Sequence, residues 1–217
     1  MKKKNILVVD NSHLMVELMR NLLEVEGHYV VTAGDGLEAL DILKTFVPEV
    51  IFIDLVMPSI DGKKLCQIIQ RMPKLKDSYR VIVSAIAAED PLDAAALGAH
   101  ALIAKGRFSD IAEHVLAAVE QSEQRRPEKN REVMRFETVA PREITRELLS
   151  ANKHFEIILE RMAEGIIEIT AGGRIVYANP IALAIIGLSE ETLLGMQFCD
   201  LFAEGDRQRI KELVMRR

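Results

Sequence analysis

Residues 6–15 read ILVVDNSHLM: four aliphatic residues, Ile6 to Val9, stop abruptly on a carboxylate and an amide, Asp10 and Asn11. An apolar run of that length fits a strand covered on both faces, not the alternating pattern of a strand with one wet face. The same arrangement recurs over roughly the first 120 residues. The candidate strands are NILVV, YVVTA, EVIFI, RVIVS and ALIA. Between them lie the helical patterns HLMVELMRNLLEVEG, GLEALDILKTF and GKKLCQIIQRM, while PLDAAALG precedes the last strand and SDIAEHVLAAVEQ follows it. Apolar strands alternating with amphipathic helices predict an α/β fold, a doubly wound parallel sheet with helices on both faces.

In such sheets the ligand site lies beyond the carboxyl ends of the strands, at the switch point, so the residue that ends each strand is the informative one. Here those residues are Asp10, Asp54, Ser84 and Lys105. Any one alone reads as a solvated strand end. Two carboxylates, a hydroxyl and an ammonium on one rim suit phosphoryl transfer onto a carboxylate, because an aspartate can act as nucleophile and carry the group. A hard cation such as Mg²⁺ would offset the charge that gathers there. Lys105 would balance the phosphoryl group from the other side, and Ser84 would donate a hydrogen bond to its oxygen.

These residues and their order resemble a known family. ILVVDNS, DLVMPSIDG, VIVSA and GAHALIAKG are similar to the receiver domain of two-component response regulators, over residues 4 to 120. The resemblance implies a five-stranded sheet of flavodoxin-like order. It also implies Asp54 as phosphoacceptor, Asp10 with Asp54 in an acidic Mg²⁺ pocket, and Ser84 and Lys105 as switch and charge partners. The phosphodonor it implies is a histidine kinase or phosphotransfer protein.

Three positions depart from the family pattern. Asn11 stands where an acidic metal contact is usual; its carbonyl can still ligate Mg²⁺, but with a formal charge removed the expected direction is weaker metal binding. Gly106 follows Lys105 where a cis proline is typical, and Leu102 stands where many receivers carry an aromatic residue. Two readings follow: a receiver that accepts phosphate, or a degenerate, phosphate-independent scaffold.

A rival enzyme reading rests on GDGLEA, residues 34–39, which fits the dinucleotide fingerprint G-x-G-x-x-G/A after a strand; Asp54 lies 20 residues after Gly34. An NAD-binding oxidoreductase would leave Asp10, Ser84 and Lys105 without a role and would place the fingerprint on the second strand. The simpler account is that Gly34 and Gly36 make a tight turn into the second helix.

A net charge of −5 argues against a general nucleic-acid binder, which needs a basic face. Lys2 to Lys4 precede an apolar run too short for an export signal, and PIALAIIGL is far below membrane-spanning length. Cys66 and Cys199 form no ligand spacing, and none of the five histidines pairs at metal-ligand spacing. A cytoplasmic protein that does not contact membrane is the expectation.

Residues 121 to 143, QSEQRRPEKNREVMRFETVAPRE, are charged and interrupted by Pro127 and Pro141, which reads as a linker. Beyond it Ile144, Leu148, Ala151, Phe155, Ile158 and Met162 recur at spacings of 4, 3, 4, 3 and 4, an a/d seam shorter than three heptads. The organisation expected is therefore a receiver over 1–120, a charged linker with a coiled-coil-like helix over 121–152, and a partial α+β domain over 153–217. A homodimer through the 144–162 helix and the last segment is expected. In that segment GIIEITAGGRIVYANP reads as a hairpin around Gly172 and Gly173. Asn179-Pro180 starts a short helix, and Ser189 is placed to cap EETLLG.

FEIILERMAEGIIEITAGGRIVYANPIALAIIGLSEETLLG resembles the first half of a PAS sensor domain, whose remaining three strands are missing here. Flavin photosensors of that type place a cysteine where this chain has Phe198; Cys199 is one residue late, so a cofactor-free interaction module is expected. The resemblances together imply a non-enzymatic response regulator that signals to a PAS-type module. The alternative is the N-terminal portion of a larger PAS-containing sensor kinase or cyclase.

Overall fold

The structure, a computed structural model, describes residues 2–84, 94–105, 108–124, 134–136 and 159–214. The chain divides into two compact units, Met1–Arg142 and Glu143–Arg217.

In the first unit the elements run β1 (Asn5–Val9), α1 (His13–Val25), β2 (Tyr29–Ala33), α2 (Gly36–Thr45), β3 (Val50–Asp54), α3 (Gly62–Arg71), β4 (Tyr79–Ser84), β5 (Ala101–Ala104), α4 (Phe108–Gln124) and β6 (Met134–Phe136). All strand pairs are parallel, in the order β2-β1-β3-β4-β5-β6. The first five strands and their flavodoxin-like order are those expected. The apolar runs are explained by where they lie: β3 and β4 are buried at every residue, and Ile6 to Val9 of β1 are buried too. Phe52, Val81 and Ile103 pack with Met19 and Leu23 of α1 and Ile111, Val115 and Val119 of α4 on one face. Each early helix begins on its own side-chain cap. Ser12 Oγ accepts from the Met15 N–H, Asp35 from that of Glu38, and Asp61 from that of Lys64, so orphan amide donors are satisfied locally.

One strand joins the five expected. Met134–Phe136, inside the stretch read as a charged linker, forms a sixth strand on the outer edge of β5. A three-residue strand among charged neighbours has no periodicity to read; the unpaired edge of β5 supplies the partner. The helix before it also runs past residue 120, to Gln124. Of PLDAAALG, which precedes β5, residues 94–98 are described and form turns closed by the Leu97, Gly98 and Ala99 amides.

The second unit contains the expected hairpin, β7 (Ile167–Ile169) antiparallel to β8 (Ile175–Ala178). Its turn needs Gly173 at φ +75, a left-handed conformation costly for other residues. Three helices follow: α5 (Pro180–Ile186), α6 (Glu190–Leu193) and α7 (Glu204–Val214). Asn179 is buried and uses its whole amide. Its Oδ1 accepts from the Ile166 and Ala182 amides at 2.9 Å each, and its Nδ2 donates to the carbonyls of Leu159 and Glu164. Ser189 occupies the cap position of α6, but its hydroxyl meets Thr192 Oγ1 at 3.0 Å instead of capping a backbone amide. The seam expected over 144–162 lies mostly outside the described residues; 159–161 are helical.

Candidate phosphoacceptor site

The site follows from strand register. Val9 lies opposite Ile53, so Asp10 and Asp54 leave neighbouring strands side by side. Asp54 lies opposite Val83 and Ser84 opposite Ala104, which brings Ser84 and then Lys105 to the same rim. The Lys105 N–H donates to the Ser84 carbonyl at 2.9 Å.

The side chains converge as the strand ends do. Lys105 Nζ lies 2.7 Å from Asp10 Oδ2 and 3.0 Å from Asp54 Oδ2. Both carboxylates are buried, and Ser84 is fully buried beside them. Asp10 is held by its own turn, its Oδ1 accepting from the Ser12 N–H at 2.8 Å. Its Oδ2 is a buried oxygen without a hydrogen-bond partner; the lysine contact is one of charge and distance without hydrogen-bond geometry. Burial pushes the Asp54 carboxyl above its ordinary range, with the neighbouring Asp10 charge adding to that; Lys105 and the Val56 amide act in the opposite sense.

The donor set accommodates a hard divalent cation in a limited way. Asp10 and Asp54 supply two carboxylates, and the unsatisfied Asp10 Oδ2 is the kind of oxygen such an ion takes. Among the described residues no group of three or more His, Cys, Asp or Glu side chains gathers at one place. Mg²⁺ suits that arrangement, because it keeps several waters and needs only one or two carboxylates with phosphate oxygens. Asn11 is exposed. Leu102 is buried in β5, and Gly106 lies outside the described residues.

The loop behind Asp54 adds a residue that strand-end reasoning missed. The Gly62 N–H donates to the Leu55 carbonyl, and a Cβ on Gly62 would stand 2.1 Å from the Asp54 carbonyl oxygen and 2.8 Å from Leu55 Cα. Only a glycine lets α3 start this close to the strand that presents Asp54. The Asp61-Gly62 pair at the end of DLVMPSIDG was its signal. Ser59 in the same loop has φ +66, a left-handed conformation that costs a non-glycine residue about 1 kcal/mol or more.

The dinucleotide fingerprint resolves differently. Asp35 accepts from the Glu38 N–H at 2.7 Å and Glu38 Oε2 from the Gly34 N–H at 2.6 Å, a reciprocal cap that fills the turn with two carboxylates. A pyrophosphate would meet negative charge there. Neither Gly34 nor Gly36 has a positive φ; Gly36 is required because a Cβ would lie 2.4 Å from the Ile60 carbonyl.

A doubly wound parallel sheet with two carboxylates and a lysine at its switch point defines the class: an α/β domain of the receiver type. The model of the response regulator receiver domain matches residues 6–116, and the chain belongs to that family. A PAS fold model matches residues 153–217. A probable transcriptional regulator, ycf27 of Guillardia theta, is 35% identical over 91 residues, 42% of this chain and 34% of that protein. Protein-glutamate methylesterase/protein-glutamine glutaminase 3 of Rhodospirillum rubrum is 40% identical over 98 residues, 43% of this chain and 26% of its own. The chain thus spans well under half the length of these curated relatives.

Among solved structures, the response regulator domain of Thermotoga maritima CheB is 26% identical, with 58% of this chain and 100% of that chain covered at TM-score 0.51. The chemotaxis response regulator CheY4 of Vibrio cholerae, 21% identical with 56% and 99% covered at TM-score 0.50, shares the fold. The receiver domains of this family are signalling switches; the methylesterase shows that some relatives are enzymes.

Proposed function

We propose that the receiver accepts a phosphoryl group on Asp54 from a histidine kinase or phosphotransfer protein and signals through the PAS-type unit. The observation that carries this reading is the buried Asp54 at the end of β3, in contact with Lys105 Nζ and flanked by Asp10. An Asp54 carboxylate oxygen attacks the phosphorus of a phosphohistidine or a small acyl phosphate. One P–O bond forms as the bond to the donor's leaving atom breaks, and a phosphohistidine's leaving nitrogen takes a proton. Lys105 offsets the charge on the phosphoryl oxygens, and the Ser84 hydroxyl donates to one of them. A Mg²⁺ ion held by Asp10 and Asp54, with the Asn11 carbonyl as a neutral third donor, would neutralise the charge of donor and acceptor.

Beyond this chemistry, the unit is read as a switch without a metabolic substrate, acting in the cytoplasm without contact to nucleic acid or membrane. Among the described residues no helix is long and apolar enough to cross a membrane. Self-association through the 144–162 helix and the PAS-type segment is supported by exposed Met162, Ile181 and Ile185.

Intact-mass measurement after treatment with a small acyl phosphate and Mg²⁺ tests the assignment. Wild type should gain one phosphoryl group and Asp54→Asn none. Equal labelling of both would remove Asp54 from the reaction, and no labelling of either would favour the phosphate-independent scaffold. A second reading, part of a larger PAS-containing sensor kinase or cyclase, is favoured by the small size of the two-stranded β7–β8 sheet among the described residues.

A further inference from the structure

Strand β6 lies on the strand that carries the site's cation. It pairs in parallel with β5, Ala101 opposite Met134 through Ile103 opposite Phe136. β5 leads directly into Lys105, whose ammonium contacts Asp10 and Asp54 and whose N–H is bonded to Ser84. The segment along which the chain leaves the receiver is therefore one strand away from the phosphoacceptor pocket.

The two flanks of β5 are unequal. Towards β4 there are four register pairs, Val81 with Ala101 through Ser84 with Ala104. That ladder is extended at both ends, by the His100 N–H to the Arg80 carbonyl at 2.8 Å and the Lys105 N–H to the Ser84 carbonyl at 2.9 Å. Towards β6 the described residues form three pairs, and β6 is the outermost described strand, with β5 as its one neighbour.

We propose that Met134–Phe136 is a releasable latch, held on β5 while Lys105 bridges the two carboxylates and freed when a phosphoryl group on Asp54 redirects that lysine. This rests on the reading of Asp54 as phosphoacceptor. The added charge stands beyond the end of β3, outside the carboxylate that Lys105 now touches. An ammonium that follows it draws on a strand only four residues long. β5 responds by shearing against one neighbour; β4 is held by β3 on its other edge, while β6, outermost among the described strands, is held by β5 alone, so β5 stays on β4 and β6 lets go. Release changes the path of the chain leaving the receiver and uncovers the edge of β5, a row of unpaired backbone groups able to take another strand. The latch thus supplies a bistable element whose equilibrium the site can bias.

Hydrogen exchange read by mass spectrometry on the full chain tests this, with peptides spanning 134–136 and 79–84. Treatment with a small acyl phosphate and Mg²⁺ should speed exchange across 134–136 by about tenfold or more and leave 79–84 unchanged. Lys105→Met, with no donor, should do the same, because the tie between β5 and the carboxylates is cut. If that chain loses protection across 79–84 as well, it is unfolded; Asp10→Asn, which removes one of the lysine's two anchors, then takes its place with the same expectation. Unchanged exchange at 134–136 in the folded variant overturns the latch whatever Asp54 does. A phosphoryl group found on Asp54 without faster exchange at 134–136 also overturns it, while leaving the phosphoacceptor reading intact. Release in the variant with no phosphoryl group on Asp54 overturns that reading instead, and with it the phosphoryl trigger.

Discussion

In the first unit every residue of β3 and β4 is buried, and the pocket at their ends is built from buried charged groups held by register. In the second unit β7 alternates half-buried and exposed residues, two strands pair among the described residues, and Ile185 and Leu213 stand largely in solvent. The difference is one of sheet closure. A strand with neighbours on both edges and helices on both faces can hold a carboxylate and a lysine in a set geometry, because nothing around them can relax. A two-stranded hairpin is marginal alone and takes its stability from what it packs against.

Truncating the core should expose this contrast most strongly. Phe52→Ala removes a side chain that is 1% exposed at the centre of β3 and should cost about 3–5 kcal/mol in urea unfolding of the first unit. Ile185→Ala, at a residue 74% exposed, should stay within about 0.5 kcal/mol. A cost above about 2 kcal/mol at Ile185 would mean that the second unit buries it against a partner.

The glycines give the next largest contrast. Gly62→Ala drives a methyl into the backbone of Asp54 and Leu55 and should cost about 1–3 kcal/mol, together with loss of phosphoryl labelling. Gly172→Ala meets nothing nearer than Thr170 Oγ1 at 3.8 Å and should be close to neutral. Circular dichroism melts of both variants, with mass labelling of the first, give the comparison.

A smaller effect, of definite sign, comes from the buried acid. The Asp54 carboxyl is held above its ordinary value of 3.8 chiefly by burial, so its folded form favours the proton. The stability contributed by that proton is fully present below the ordinary value and is lost as pH rises through the raised one. At neutral pH the ionised, desolvated carboxylate is a cost, so Asp54→Asn should melt higher than wild type. The gap should close as pH falls below 3.8. A variant less stable at neutral pH would show that the Lys105 contact outweighs burial.

The smallest expected change concerns Asn11. Asn11→Asp returns a formal charge next to Asp10 in the chain, so Mg²⁺ should raise its melting temperature more than that of wild type, by binding the folded state. Identical shifts at matched ionic strength would make Asn11 a turn residue with no part in metal binding.

What could be read from the chain alone follows from the same contrast. Five strands and the residues ending them were legible because a strand buried on both faces must be apolar throughout. Asp10, Asp54 and Ser84 therefore break or close runs of Val and Ile, and Lys105 directly follows ALIA. The hairpin around Gly173 and the Asn179 cap were legible because turn and cap chemistry is local. Three features were decided only by tertiary structure. Met134–Phe136 becomes a strand because β5 offers an unpaired edge, not because three residues among charges have any period of their own. Gly62 is required by the approach of α3 to the backbone of Asp54, a distance between segments that no local pattern encodes. The meeting of Lys105 Nζ with both carboxylates, within 3.0 Å, depends on strand register summed across three ladders. Local sequence sets which residues end each strand; the pairing of strands sets which of those ends touch.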